Sequence, residues 1–164
     1  MGTGGLFLRR LRAGLADRPT GFVWVQDGAL AASGYPSSRK QLGWVAAHGV
    51  NSVLTLTEKP LPGGWVTESG LDVRHVPMKD HEPPSVASLF EASAFIEENV
   101  SAGKVVLVHC LAGKGRTMCA VAAYLIRKGM DADQAISFLR HLRPGAVEFG
   151  QEASVREFAA QFKR

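Results

Sequence analysis

The stretch His109-Cys110-Leu111-Ala112-Gly113-Lys114-Gly115-Arg116-Thr117 gathers a thiol, a guanidinium, a hydroxyl and two glycines into nine residues. It follows a continuously apolar run, Val105 to Val108, and precedes Met118, Val121, Ala122, Leu125 and Ile126, which recur at helical spacing. A loop between a buried strand and an amphipathic helix can turn its backbone N–H groups inward around one anion, with the helix N-terminus beneath it. Gly113 and Gly115 permit the tight curvature because neither has a Cβ. Arg116 offers a planar, bidentate fork for phosphate oxygens. The same positive surroundings favour Cys110 as a thiolate, the form that attacks. The stretch therefore reads as an anion cradle with its own nucleophile. Reading Cys110 as a small buried hydrophobe would leave the glycines and the arginine unexplained.

Elements to hold such a loop are readable on both sides. Phe22 to Val25 and Leu30 to Ala32 are strand candidates around an Asp27-Gly28 turn. Ser37 or Ser38 can cap a helix running through Leu42 and Val45 to Gly49. Val53 to Leu56 and Leu71 to Val76 read as strands, with Pro60 to Gly64 as a loop between them. Pro83-Pro84-Ser85 opens a long helix that stops near Gly103, and Val105 to Val108 suits a strand covered on both faces. Asp131 or Asp133 starts a helix containing Ala135, Ile136 and Leu139, and a last helix runs from about Gln151 to Phe162. Alternating strands and helices predict a layered α/β fold with a mostly parallel sheet. Residues 1–20 are an N-terminal extension or a short helix around Leu6 to Leu15, and 21–164 form the expected single catalytic domain.

Composition narrows the classes. The 164 residues carry a formal charge of +4 without a run of five basic residues, which argues only weakly for anionic partners and sets nucleic acid aside. Two cysteines do not make a disulfide scaffold. No apolar run is long enough to span a membrane, and Met1 to Arg12 does not read as a secretory signal. The expected setting is cytoplasmic, the expected state a monomer. The five histidines show no close metal-ligand spacing, so neither metal nor cofactor is expected. The G-x4-G-K-[ST] spacing of a nucleotide-binding loop is absent.

Residues 109–117 match H-C-x-x-G-x-x-R-[ST], and on that motif the chain resembles the cysteine-dependent protein tyrosine phosphatases. It is most similar to small atypical dual-specificity phosphatases and their compact archaeal and bacterial relatives. The resemblance runs from about Phe22 to Phe162 and includes the segment Leu139 to Glu148, with its arginines, proline and glycine. It implies the cysteine-dependent phosphatase fold, a central mostly parallel sheet flanked by helices. Cys110 would attack phosphorus to form a phosphocysteine. Leu111, Ala112, Gly113, Lys114, Gly115 and Arg116 would bind the phosphoryl group. Thr117 would hydrogen-bond the sulfur, and His109 would orient the loop. Met118 departs from the glycine usual at that position.

The leaving oxygen needs a proton donor. In the resembled family this is an aspartate about thirty residues before the cysteine, and Asp80 fits, with Glu82 as the competing carboxylate and His81 beside it. Gln151 is a possible equivalent of a glutamine that positions the hydrolytic water, and Arg143 either holds its segment against the loop or is a surface charge. With only Tyr35 and Tyr124 available, the pocket is expected to be shallow. Dual-specificity protein phosphatase is therefore the leading reading, on phosphotyrosine and phosphoserine or phosphothreonine. The alternative is a phosphoinositide or other small phosphate-ester phosphatase, with Lys114 holding a second phosphate. RNA 5′-phosphatase and non-catalytic phosphate binder rank lower.

Overall fold

The computed structural model describes residues 17–163, so the choice between an extension and a short helix around Leu6 to Leu15 lies outside the described residues. Five strands form one sheet: β1 (Val23–Gln26), β2 (Leu30–Ser33), β3 (Ser52–Thr55), β4 (Asp72–His75) and β5 (Val106–His109). Their order is β1-β2-β5-β3-β4. β1 and β2 are the antiparallel hairpin expected around Asp27-Gly28, and every other pairing is parallel. The helices are α1 (Arg39–Ala47), α2 (Gly63–Ser69), α3 (Val86–Ser101), α4 (Arg116–Arg127), α5 (Ala132–Leu142) and α6 (Glu152–Phe162).

Strand periodicity explains the layering. Leu30, Ala32, Leu54, Val106 and Val108 enter one core, beneath α3, α4 and α6. The intervening Ala31, Val53 and Leu107 enter a second core with Phe22, Leu42 and Val45, on the α1 side. Successive side chains on a strand point to opposite faces, so continuously apolar strands need cover on both. Helix α4 is the pivot. Its residues 116–126 are all buried, and it packs on α3, α5 and α6. Met118 is fully buried there and fills core space.

Caps fix the helix starts. Ser38 accepts the Gln41 N–H at 3.1 Å, Ser85 accepts that of Ser88 at 3.1 Å, and Asp131 forms a capping box with Gln134. One expectation needs correction. The loop read over Pro60 to Gly64 ends early, because α2 begins at Gly63 behind Pro62. A Gly-Gly start carries poor helix propensity, and tertiary packing of Trp65 and Val66 on the second core supplies what propensity lacks.

Candidate active site

β2, β3 and β5 run parallel and end together at Ser33, Thr55 and His109. The edge beyond their C-terminal ends is where open α/β sheets place their ligand sites. Here β5 delivers Cys110, and α4 begins at Arg116.

His109 is the buried footing of the loop. Its Nδ1 lies 3.2 Å from the Cys110 carbonyl, which can only accept, so Nδ1 carries the proton. Nε2 then accepts from the Thr55 hydroxyl at 2.9 Å. Burial lowers the His109 pKa to about 4, with the Arg116 and His75 charges adding to the shift and the Cys110 carbonyl opposing it. The folded value lies below the ordinary 6.5, so the unfolded chain binds more protons between the two. Stability is full above pH 6.5 and falls as the pH drops toward 4, by on the order of 3 kcal/mol for this group. Thermal melts across that window will show this slope in the wild type, and His109→Asn will flatten it. Parallel profiles for the two proteins would refute the assignment.

The loop carbonyls face outward to named donors. Leu111 O accepts from Tyr35 N at 2.9 Å, Ala112 O from Arg143 Nη2 at 2.8 Å, and Lys114 O from Val147 N at 3.0 Å. In a planar trans peptide the next N–H points the opposite way. The N–H groups of Ala112, Gly113 and Gly115 are thereby turned inward. That of Gly113 donates to Cys110 Sγ at 3.2 Å. Gly113 has φ +73°, and a Cβ there would lie 2.5 Å from Ser33 O, so glycine is required twice over.

Arg116 is 4% exposed. Its Nη1 donates to Met78 O at 3.0 Å, and Nη2 pairs with Asp80 Oδ1 at 2.9 Å. Cys110, Arg116 and Asp80 thus line one pocket of about 110 Å³, shared with His81, Glu148 and Gln151. The Glu82 carboxylate instead turns to Lys79 at 4.0 Å. Gln151 is buried, accepts from Glu148 N at 3.1 Å and donates to Glu82 O at 3.3 Å. A Cβ at Gly115 would come within 2.9 Å of its amide, so the glutamine packs directly on the loop.

Other expected residues lie elsewhere. Lys114 does not line the pocket, and its side chain runs beside Gly145. Thr117 is fully buried, and its hydroxyl has no partner in this arrangement. Tyr35 packs edge-on against His109 behind the loop, and Tyr124 is buried with its hydroxyl on Gln26. Cys119 is buried too. Burial, with the Cys110 and Glu148 charges, pushes its thiol far up, and it donates to Gln151 Oε1 at 3.6 Å.

Sequence reasoning missed Glu58, whose carboxylate accepts the Asp80 N–H at 3.3 Å. It also missed the backbone of the two loops that face each other across the pocket. Among the described residues, His81 and Val147 are the non-glycines with left-handed φ, at 58° and 54°. Each adjoins a pocket carboxylate, Asp80 or Glu148. His81 lies 3.6 Å from the first and 3.4 Å from the second. Strain of this kind gathers at functional sites.

Residues 19–155 match the family described as Swiss Army Knife protein, DSP-PTPase phosphatase domain. The chain belongs to this phosphatase family. The DSP-PTPase domains are a family of cysteine-based phosphoric monoester hydrolases. The crystal structure of Tk-PTP in the active form superposes with a TM-score of 0.75 at 34% identity, covering 82% of this chain and 94% of that one. The phosphatidylglycerophosphate phosphatase PTPMT2 of Arabidopsis thaliana is 30% identical over 142 residues, 83% of this chain and 62% of that protein. The dual specificity protein phosphatase Mpk3 of Drosophila melanogaster is 34% identical over 99 residues, 59% of this chain and 24% of that protein. This DSP-PTPase domain therefore spans less than two thirds of either curated relative. Among its described residues no helix is long and apolar enough to cross a membrane.

Proposed function

We propose that this chain is a dual-specificity protein phosphatase that works through a phosphocysteine on Cys110. Arg116 and the inward N–H groups hold the phosphoryl oxygens. Asp80 protonates the leaving oxygen and later, as carboxylate, takes a proton from water. His109 orients the loop, and the Thr117 hydroxyl, which has no other partner, hydrogen-bonds the sulfur. Gln151 is at the loop's side for the hydrolytic water. The observation that carries the reading is the convergence of Cys110, Arg116 and Asp80 on a small pocket without an aromatic wall. Such a pocket admits short phosphoserine and phosphothreonine side chains as well as phosphotyrosine. Apart from Arg116, the polar side chains lining it are those of Asp80, His81, Glu148 and Gln151, and no lysine is among them. That disfavours an inositol ring bearing further phosphates.

A second reading, a glycerophospholipid monophosphate phosphatase, has its own support. One relative is named for phosphatidylglycerophosphate. Leu111 at the pocket wall is 61% exposed, and Phe149 next to Glu148 is fully exposed.

One panel tests both: phosphotyrosyl and phosphothreonyl peptides, phosphoinositides, phosphatidylglycerophosphate in mixed micelles and a 5′-triphosphorylated RNA. Both peptides are expected to give the highest kcat/KM. A higher value on either lipid overturns the protein reading. Asp80→Asn is expected to lose about 10²–10³-fold on peptides with poor leaving groups and far less on an activated aryl phosphate. Equal, small losses across leaving groups would take the acid role from Asp80.

A further inference from the structure

Arg143 follows α5 and has no place in the signature motif, yet its guanidinium reaches two backbone carbonyls far away in the chain. Nη1 donates to Gly21 O at 2.7 Å and Nη2 to Ala112 O at 2.8 Å. We propose that Arg143 is a positioning residue that fixes the Ala112–Gly113 peptide so that its N–H faces the Cys110 sulfur. The proposal rests on the reading of Cys110 as the nucleophile.

The geometry runs through a single peptide plane. Its carbonyl is drawn outward to Arg143, and its N–H is thereby aimed inward, 3.2 Å from Sγ. Turned over, the same peptide would set a carbonyl oxygen against the sulfur, where it repels a thiolate instead of stabilising one. Nothing intrinsic to Gly113 prevents that turn, because glycine tolerates either hand of φ. A side chain cannot be used to prevent it either, since the Ser33 carbonyl occupies the space. The neighbouring carbonyls of Leu111 and Lys114 are held by backbone N–H groups. That of Ala112 depends on a side chain, and a charged donor makes the stronger bond.

The second carbonyl fixes the arginine itself. Gly21 packs against the guanidinium so closely that a Cβ there would lie 2.2 Å from Nη1 and 2.3 Å from Nη2. Gly21→Ala therefore displaces the guanidinium from outside the loop, while its φ of +66° also strains the turn. This links the turn before β1 to the reactivity of a thiol almost ninety residues later.

The test is the rate at which iodoacetamide alkylates Cys110 at pH 6, divided by the rate at pH 9, followed by peptide mass analysis so that Cys119 does not contribute. It is read on the full chain, wild type and variants. Arg143→Ala is expected to lower the ratio about tenfold, the worth of one hydrogen bond to a charged group, and to lower kcat in step. Arg143→Lys, which can reach only one carbonyl, should fall between. Gly21→Ala should act in the same direction, and the double variant Gly21→Ala/Arg143→Ala should be no worse than Arg143→Ala. Arg140→Ala removes bonds to the Ala146 and Val147 carbonyls of the same segment and should leave the ratio unchanged. That separates positioning from general loosening. If Arg143→Ala does not fold, Gly21→Ala and Arg143→Lys still decide. An unchanged ratio in the Arg143 variants, or a double variant that multiplies the two single effects, overturns the proposal. A wild-type Cys110 inert at pH 6 would instead overturn the nucleophile assignment.

Discussion

Cys110→Ser is expected to abolish turnover while leaving phosphate binding in place. The two properties separate because different atoms carry them. Attack needs an ionised sulfur, and a serine hydroxyl has no comparable anionic population near neutral pH. Binding needs the N–H groups turned inward by the outward carbonyls of Leu111, Ala112 and Lys114, together with the Arg116 fork, and none of these changes. The substitution is nearly isosteric, at a residue only 2% exposed, so the packing around it has little reason to move. Deleting a nucleophile from a positioned constellation costs on the order of 10⁶ in kcat. Single-turnover phosphate release gives the rate, and titration calorimetry with inorganic phosphate gives the affinity. Hydrolysis at the wild-type rate, in a preparation free of contaminating phosphatase, would refute the cysteine mechanism. Loss of phosphate affinity alongside activity would mean that the sulfur, rather than the carbonyl anchors, holds the loop open.

Legibility in the sequence followed the range of the interactions. The strand into Cys110 and the helix out of Arg116 were readable because both depend on local pattern. The apolar run Val105 to Val108 announces a strand with two covered faces, and the structure divides its residues between two cores. Asp80 was reachable only through the family resemblance, since its contact with Arg116 crosses thirty-six residues of chain and no periodicity encodes it. Glu58 gave no signal for the same reason. It is a polar residue just past a strand, and its value comes from the Asp80 N–H it meets. Tyr35 shows no local pattern that would place it, and it packs edge-on against His109. Lys114 illustrates the opposite case. Its place in the loop suggested a second phosphate site, but the outward turn of the Lys114 carbonyl onto Val147 is accompanied by a side chain lying beside Gly145.

Arg116→Lys is expected to slow phosphocysteine formation by about 10²–10³-fold, the usual cost of losing one preorganised donor to a developing charge. Charge counting predicts almost nothing, because lysine keeps the positive charge. Geometry predicts a large loss. In the structure the guanidinium already spends Nη1 on the Met78 carbonyl and Nη2 on Asp80, and its planar fork still has N–H bonds to offer an anion. An ammonium has three donors around one point and cannot bridge the Met78 carbonyl, the Asp80 carboxylate and two phosphoryl oxygens together. Arg116→Met should be worse, by about 10³–10⁵-fold, since it also deletes the charge that offsets the transferring group. The Asp80 contact adds a second signature. If Arg116 holds the acid as well as the phosphate, the effects of Arg116→Lys and Asp80→Asn will not add, and the double variant will be faster than their product predicts. Rapid-quench measurement of phosphocysteine, with phosphate affinity determined separately, reads both. A lysine variant indistinguishable from wild type would mean that charge alone is what Arg116 contributes. Additive losses would mean that the 2.9 Å pair between Arg116 and Asp80 is a resting contact with no part in transfer.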